Sequence, residues 1–301
     1  MRTRKIEMVV TLLALLLLPG LASSAEPVKE AMQKGKACFD KNDYDGAIAA
    51  YSEAIKLDPK NADAYYRRSW AYTRKRDFAK ALADANEAIL INSQIAEPYV
   101  VRGLVYYTKG DCGKAIADFA QAISLDPKYA HAYYDRGLAF RELGEYDKAV
   151  ADFSNAIRLE PNDADGYYER GGTYGQRGEH DKAIADYNNA IRLKPSFTEA
   201  YGNRGNAFFE KHNYDMAIAD YSEVIRLSSK DAQAYYYRGR AHQTKGDLDK
   251  AIADLVEAVR LKPNYAEAYY GRGYVYWQKG EKAKAEADFE QARKLGYKPS
   301  K

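Results

Sequence analysis

Apolar and polar positions along this chain repeat every 34 residues. The stretch Ala130–Asp163 reads AHAYYDRGLAFRELGEYDKAVADFSNAIRLEPND, and the same pattern returns 34 residues away on either side. Copies begin at Val28, Ala62, Ala96, Ala130, Ala164, Thr198, Ala232 and Ala266 and run without insertion to residue 299. Positions are numbered here from the first residue of each copy. Positions 4, 8 and 11 are spaced as one face of a helix, and positions 20, 24 and 27 as one face of a second. Small residues alternate with rings: Gly137 and Ala149 let two helices approach while Phe140 and Phe153 fill beside them. Gly at position 15 (Gly110, Gly144, Gly178, Gly246, Gly280) predicts a left-handed end to the first helix. An acid follows it and predicts an N-cap for the second. Pro at position 32 forbids further helix. One such pair cannot bury both faces, so neighbours must stack. The prediction is an all-α solenoid of eight helix pairs: 28–61, 62–95, 96–129, 130–163, 164–197, 198–231, 232–265 and 266–299.

The fixed points of the central copy are Tyr133, Gly137, Phe140, Ala149, Phe153, Ala156 and Pro161. An aromatic, Gly, aromatic, Ala, aromatic, Ala and Pro at these offsets resembles the tetratricopeptide repeat. The resemblance covers about nine-tenths of the chain. It implies a right-handed superhelix of helix-turn-helix units and a peptide or protein partner held in a concave groove.

Departures from the pattern carry further expectations. Repeat two has Ser69 for Gly, Ala85 for the ring, Ser93 for Pro and Arg76 at the turn, which predicts looser packing or a bend. Repeat six has Ser229 for Pro, Val224 for Ala and His212 at the turn. Repeat five carries Gly166, Gly171, Gly172, Gly175 and Gly178. The run GGTYGQRG lacks the preceding strand of a phosphate loop, so it reads as a pliant helix. In repeat eight, Glu286 and Arg293 stand where the other copies have Ile, Leu or Val. Both lie on one helical stripe, as expected of a polar end cap.

Residues 1–25 follow a different rule. Arg2, Arg4 and Lys5 precede the apolar run Met8–Leu18, Pro19 and Gly20 break it, and Ser23, Ser24 and Ala25 offer a cleavage site. This reads as a secretory signal peptide, and the run is about half the roughly 20 residues of a membrane span. The mature chain is expected to be exported, to a bacterial periplasm or the medium, with no stable membrane insertion. Its removal takes away three basic residues and one acid, so the formal charge falls from +3 to about +1. That balance excludes long-range attraction to nucleic acid. Cys38 and Cys112 lie two repeats apart, beyond disulfide reach across stacked helices about 8–10 Å apart.

Catalytic chemistry is not indicated. His131, His180, His212 and His242 share no ligand spacing, no nucleophile turn is present, and most acids recur once per repeat as architecture does. No catalytic residue, metal or cofactor is therefore expected. Binding remains. Positions 2, 5, 9 and 12 of each first helix form a face turned away from the core stripe. This face carries Tyr66, Trp70, Tyr107 and Tyr134, then Tyr168, Phe209 and Tyr236. Arg240, Tyr270, Tyr274 and Trp277 complete it, with three rings on the last helix. Rings that the fold does not need mark binding surfaces. The expected function is a protein-interaction scaffold. The alternative is a glycan-binding module, because exposed Tyr and Trp also stack on sugar rings. Position 7 is Arg and position 23 Asp in repeats two to eight, and an ion pair within each repeat is expected. Mass spectrometry of exported protein should find an N-terminus near Glu26; an intact Met1 or Arg2 contradicts the leader.

Overall fold

A computed structural model describes residues 19–298, with side chains from residue 25 onward. Residues 1–18, which hold most of the expected leader, lie outside the described residues. Sixteen helices and no strand occur among the described residues. The chain divides between Gly144 and Glu145 into two compact units. The first holds α1 (Pro19–Asp40), α2 (Tyr44–Leu57), α3 (Ala62–Arg74), α4 (Phe78–Ile91), α5 (Glu97–Thr108), α6 (Cys112–Leu125) and α7 (Ala130–Glu142). The second holds α8 (Tyr146–Leu159), α9 (Ala164–Gln176), α10 (His180–Leu193), α11 (Thr198–Glu210) and α12 (Tyr214–Leu227). It ends with α13 (Ala232–Lys245), α14 (Leu248–Leu261), α15 (Ala266–Gln278) and α16 (Lys282–Lys294). Within each unit every helix packs on the next, and first helices also touch at α3–α5, α5–α7, α9–α11 and α13–α15, so they line one face. The pattern predicts a first helix from Val28; α1 instead starts at Pro19, where proline suits the first helical turn, and continues through Pro27.

Each pair closes on a glycine. A Cβ at Gly35, Gly103, Gly205 or Gly273 would come within 2.4–2.9 Å of Tyr51, Phe119, Tyr221 or Phe289 at position 24. Repeat two departs from this contact at both positions. Ser69 and Ala85 are both fully buried, and Ser69 Oγ donates to the Ala81 carbonyl at 2.7 Å. A hydroxyl bonded to the facing helix thus stands where other repeats set a glycine against a ring.

Position 15 is left-handed in all eight repeats. Five are glycines; Asn42, Arg76 and His212 adopt the same conformation at φ of about 60°. A side chain there costs about 1–2 kcal/mol, so the turn geometry outranks local preference. The cap expectation holds in four repeats. Asp43, Asp77, Asp111 and Asn213 accept a backbone N–H three residues on. Glu145, Glu179 and Glu281 make no such bond and pair with Lys148, Lys182 and Lys284 instead. Asp247, without the extra methylene, behaves as they do: it makes no cap bond and pairs with Lys250. Proline is not what stops the second helices: those of repeats two and six, with Ser93 and Ser229, end at the same position as the others.

The Arg–Asp pair forms as expected and does more. In repeats two, three, five, six, seven and eight, Nε and one terminal nitrogen of the arginine grip both carboxylate oxygens at 2.6–2.9 Å. The remaining nitrogen reaches the second helix of the preceding repeat: Arg68 to Ser52, Arg102 to Asn86, Arg170 to Ser154, Arg204 to Asn188 and Arg238 to Ser222. The position-4 tyrosines, expected in the core, are mostly half-buried and stand beside these guanidinium groups, 5.3–5.9 Å from ring centre to Arg Cζ. Burial pushes the Asp220 carboxyl above its ordinary value, and Arg204 pulls it back. The carboxylate therefore depends on its partner. Cys38 and Cys112 are both free thiols.

The inner repeats present a half-buried Ile stripe to their neighbour, whereas Glu286 and Arg293 are exposed. In a double-mutant cycle, Arg204→Met with Asp220→Leu should show coupling above the roughly 0–1 kcal/mol of a surface pair. Additive losses in denaturant unfolding contradict a shared fork. Glu286→Ile with Arg293→Ile should raise self-association in light scattering, because it exposes an apolar stripe. A variant as monodisperse as its parent shows that the stripe is not an interface.

Candidate functional site

The shared face of the first helices carries the expected binding residues, but it treats them unequally. Position 5 points rings onto the protein. Tyr168 lies 6.0 Å from Tyr187 and 4.8 Å from Phe197, Tyr236 lies 5.1 Å from Tyr265, and Tyr270 lies 5.3 Å from Phe289 and 4.5 Å from Tyr297. Tyr66 and Tyr134 are half-buried, and burial raises the Tyr66 hydroxyl well above its ordinary value. Val100 at the same position is fully buried. On the last helix, positions 9 and 12 are different. Tyr274 is 40% and Trp277 57% exposed, and the two rings face each other at 5.6 Å. The three rings expected in a row thus divide: Tyr270 is packed, Tyr274 and Trp277 are presented.

In the first unit, α1, α2 and α3 enclose a cavity of about 500 Å³. Trp70 and Tyr66 line it with Phe39, Tyr44 and Tyr51. Lys36, Arg67 and Arg74 bring positive charge against one carboxylate, Asp40. Arg67 Nε donates to both oxygens of Asp63 at 2.9 Å, and Arg74 Nε to Tyr44 Oη at 3.1 Å. Burial raises the Tyr51 hydroxyl, with Arg67 opposing it. Tyr107 is half-buried and packs against the cluster built on Phe119 and Val100. On α7, burial pushes the Asp135 carboxyl up to about 7.

In the second unit a cavity of about 440 Å³ lies between α11, α12 and α13, with Tyr168 at its edge. Asn203 Nδ2 donates to Tyr168 Oη at 3.1 Å, and Tyr221 Oη donates to Asn206 Oδ1 at 2.8 Å. Phe209 is met edge-on by Tyr214 at 5.2 Å. Arg240 lies over Phe209 and Tyr236, 5.3 and 5.9 Å from the ring centres. Ordered guanidinium–ring contacts of this kind fix an exposed cation in place.

Position 6 lines both cavities, through Arg67, Asn203 and Tyr237, and was not among the expected positions. Its signal is present in the sequence. Position 6 reads Arg67, Val101, Asp135, Glu169, Asn203, Tyr237 and Gly271 in successive repeats, while position 7 beside it stays Arg. Variation next to constancy marks a face that the fold leaves free. No group of three candidate metal ligands and no helix long and apolar enough to cross a membrane occur among the described residues.

Comparison with known proteins agrees with this geometry. Residues 35–75, 103–141, 137–178, 171–211, 205–246 and 244–280 match the TPR repeat model, and residues 62–95 and 266–295 match the tetratricopeptide repeat model. Solved structures share the fold. A tetratricopeptide repeat protein from Parabacteroides merdae is 20% identical over 83% of this chain and 99% of its own, at a TM-score of 0.57. Pseudomonas aeruginosa pilF is 18% identical over 69% and 94%, at 0.60. YrrB, a TPR protein with an unusual peptide-binding site, is 24% identical over 61% and 95%, at 0.55. With repeat models matched along most of its length, the chain belongs to the tetratricopeptide repeat family.

Proposed function

We propose that the chain is a non-catalytic interaction scaffold, exported by its N-terminal leader, that holds a peptide or protein segment on the face of its first helices. The observation that carries this reading is the Tyr274–Trp277 pair, two large rings left exposed in a repeat whose core is already closed by Phe289 against Gly273. Family membership supports it, since these repeats serve protein interaction rather than catalysis. So does the fold shared with YrrB, a peptide-binding protein of the same family. The basic start and short apolar run support export to a periplasm or the medium.

Selection of a random-peptide display library on the full chain tests the scaffold reading. Trp277→Ala should weaken the selected peptides at least about tenfold, as a hot-spot ring does. Melting should stay within about 2 °C, as for a surface substitution. If melting falls sharply while the folded fraction binds as before, the ring is structural. If the chain selects no peptide but is retarded by polysaccharide in a gel, the exposed ring pair serves a glycan.

A further inference from the structure

One cavity of the peptide-binding face has a chemistry of its own. In repeats five and seven, the ring at position 5 rests on the ring that closes the repeat at position 34: Tyr168 on Phe197 at 4.8 Å and Tyr236 on Tyr265 at 5.1 Å. Repeat six has Gly202 and Asp231 at these two positions. An aromatic pair is thus replaced by a hydrogen atom and a carboxylate, and the cavity of about 440 Å³ opens at that place.

Gly202 is not required by the fold. A Cβ there would meet only Val224 Cγ2, at an ordinary 3.9 Å, whereas at Gly205, one turn on, it would come within 2.9 Å of Tyr221. The backbone at Gly202 is helical, and glycine is a poor helix former. What the glycine provides is open space.

The walls of that space are set. Tyr221 and Tyr237 stack at 5.8 Å and 21°. Asn206 holds the Tyr221 hydroxyl, and Asn203 holds that of Tyr168. Asp231 caps α13, its Oδ1 accepting from the Gln233 and Ala234 amides at 2.9 and 3.0 Å. Glu199 stands one turn before Gly202 on α11. Both carboxylates line the cavity, no Lys, Arg or His does, and neither acid has an ion-pair partner among the described residues. Two carboxylates with no basic side chain beside them, set among tyrosine rings, favour a cation with an apolar stem, which can stack on the rings as it pairs with the acids.

We propose that this cavity receives a lysine or arginine side chain of the bound peptide. The assignment rests on the scaffold reading and narrows it to a partner whose binding segment is basic at one anchoring position. The chain's formal charge is slightly positive, so bulk attraction does not draw a basic peptide to it.

The peptides selected by display on the full chain are measured by fluorescence anisotropy against two variants. Gly202→Tyr restores the ring of the neighbouring repeats and closes the cavity. Glu199→Gln with Asp231→Asn keeps size and helix cap while removing charge, and so remains informative should the tyrosine not fit. The selected peptides should share a Lys or Arg whose replacement by norleucine costs at least about tenfold on the parent and nothing further on either variant. Gly202→Tyr should melt no lower than the parent while losing that affinity. Peptides that are selected without a shared basic residue, or that bind both folded variants as they bind the parent, overturn the pocket assignment and leave the scaffold reading standing. Failure to select any peptide overturns both.

Discussion

The position-7 arginine is the joint on which the solenoid depends. Its planar fork has enough donors to hold the carboxylate of its own second helix from two sides and still reach the helix before it. A lysine could supply the charge but not this geometry. The aspartate it grips is nearly buried, 3–6% exposed in each repeat where it occurs. Taking that carboxylate from water costs more than an unassisted pair returns, so the two-point grip and the flanking tyrosines have to be present together. The glycine–ring contact sets how close two helices come; the arginine sets which three helices belong together.

Much of this was legible because it recurs. A pattern repeated eight times averages out local exceptions, and so the helix pairs, the left-handed turn and the Arg–Asp partnership could be read from spacing alone. What could not be read is what varies between copies. The acceptor for the arginine's third contact is Ser52, Asn86, Ser154, Asn188 or Ser222, residues too ordinary to draw notice. Ser69 and Ala85 each depart from the repeat, and only in space does the serine hydroxyl find the Ala81 carbonyl of the facing helix. Asp and Glu at the cap position both meet a lysine three residues on, and which of them also holds a backbone amide is not written in the spacing.

The binding face was legible in outline only. Spacing found the face, but not which rings turn inward. Tyr270 and Trp277 sit on the same helix, and only the neighbouring Phe289 and Tyr297 decide that one is packed and the other presented. Gly202 and Asp231 lie 29 residues apart, and each alone reads as drift from the repeat. Their meaning comes from the contact between positions 5 and 34, which the neighbouring repeats display and no linear pattern announces.

The arginine's backward reach also gives the stack a direction. Five repeats tie a guanidinium to the one before, and the inner repeats lay their aliphatic stripe on the one after. A proteolytic nick between two inner repeats of one unit therefore yields unlike ends. The fragment on the carboxyl side is left with a guanidinium nitrogen that water satisfies. The fragment on the amino side is left with a bare hydrocarbon stripe. Damage at such a loop thus bares two unlike surfaces: the hydrocarbon stripe on one piece and, on the other, the first-helix face that the stripe covered together with its freed guanidinium nitrogen.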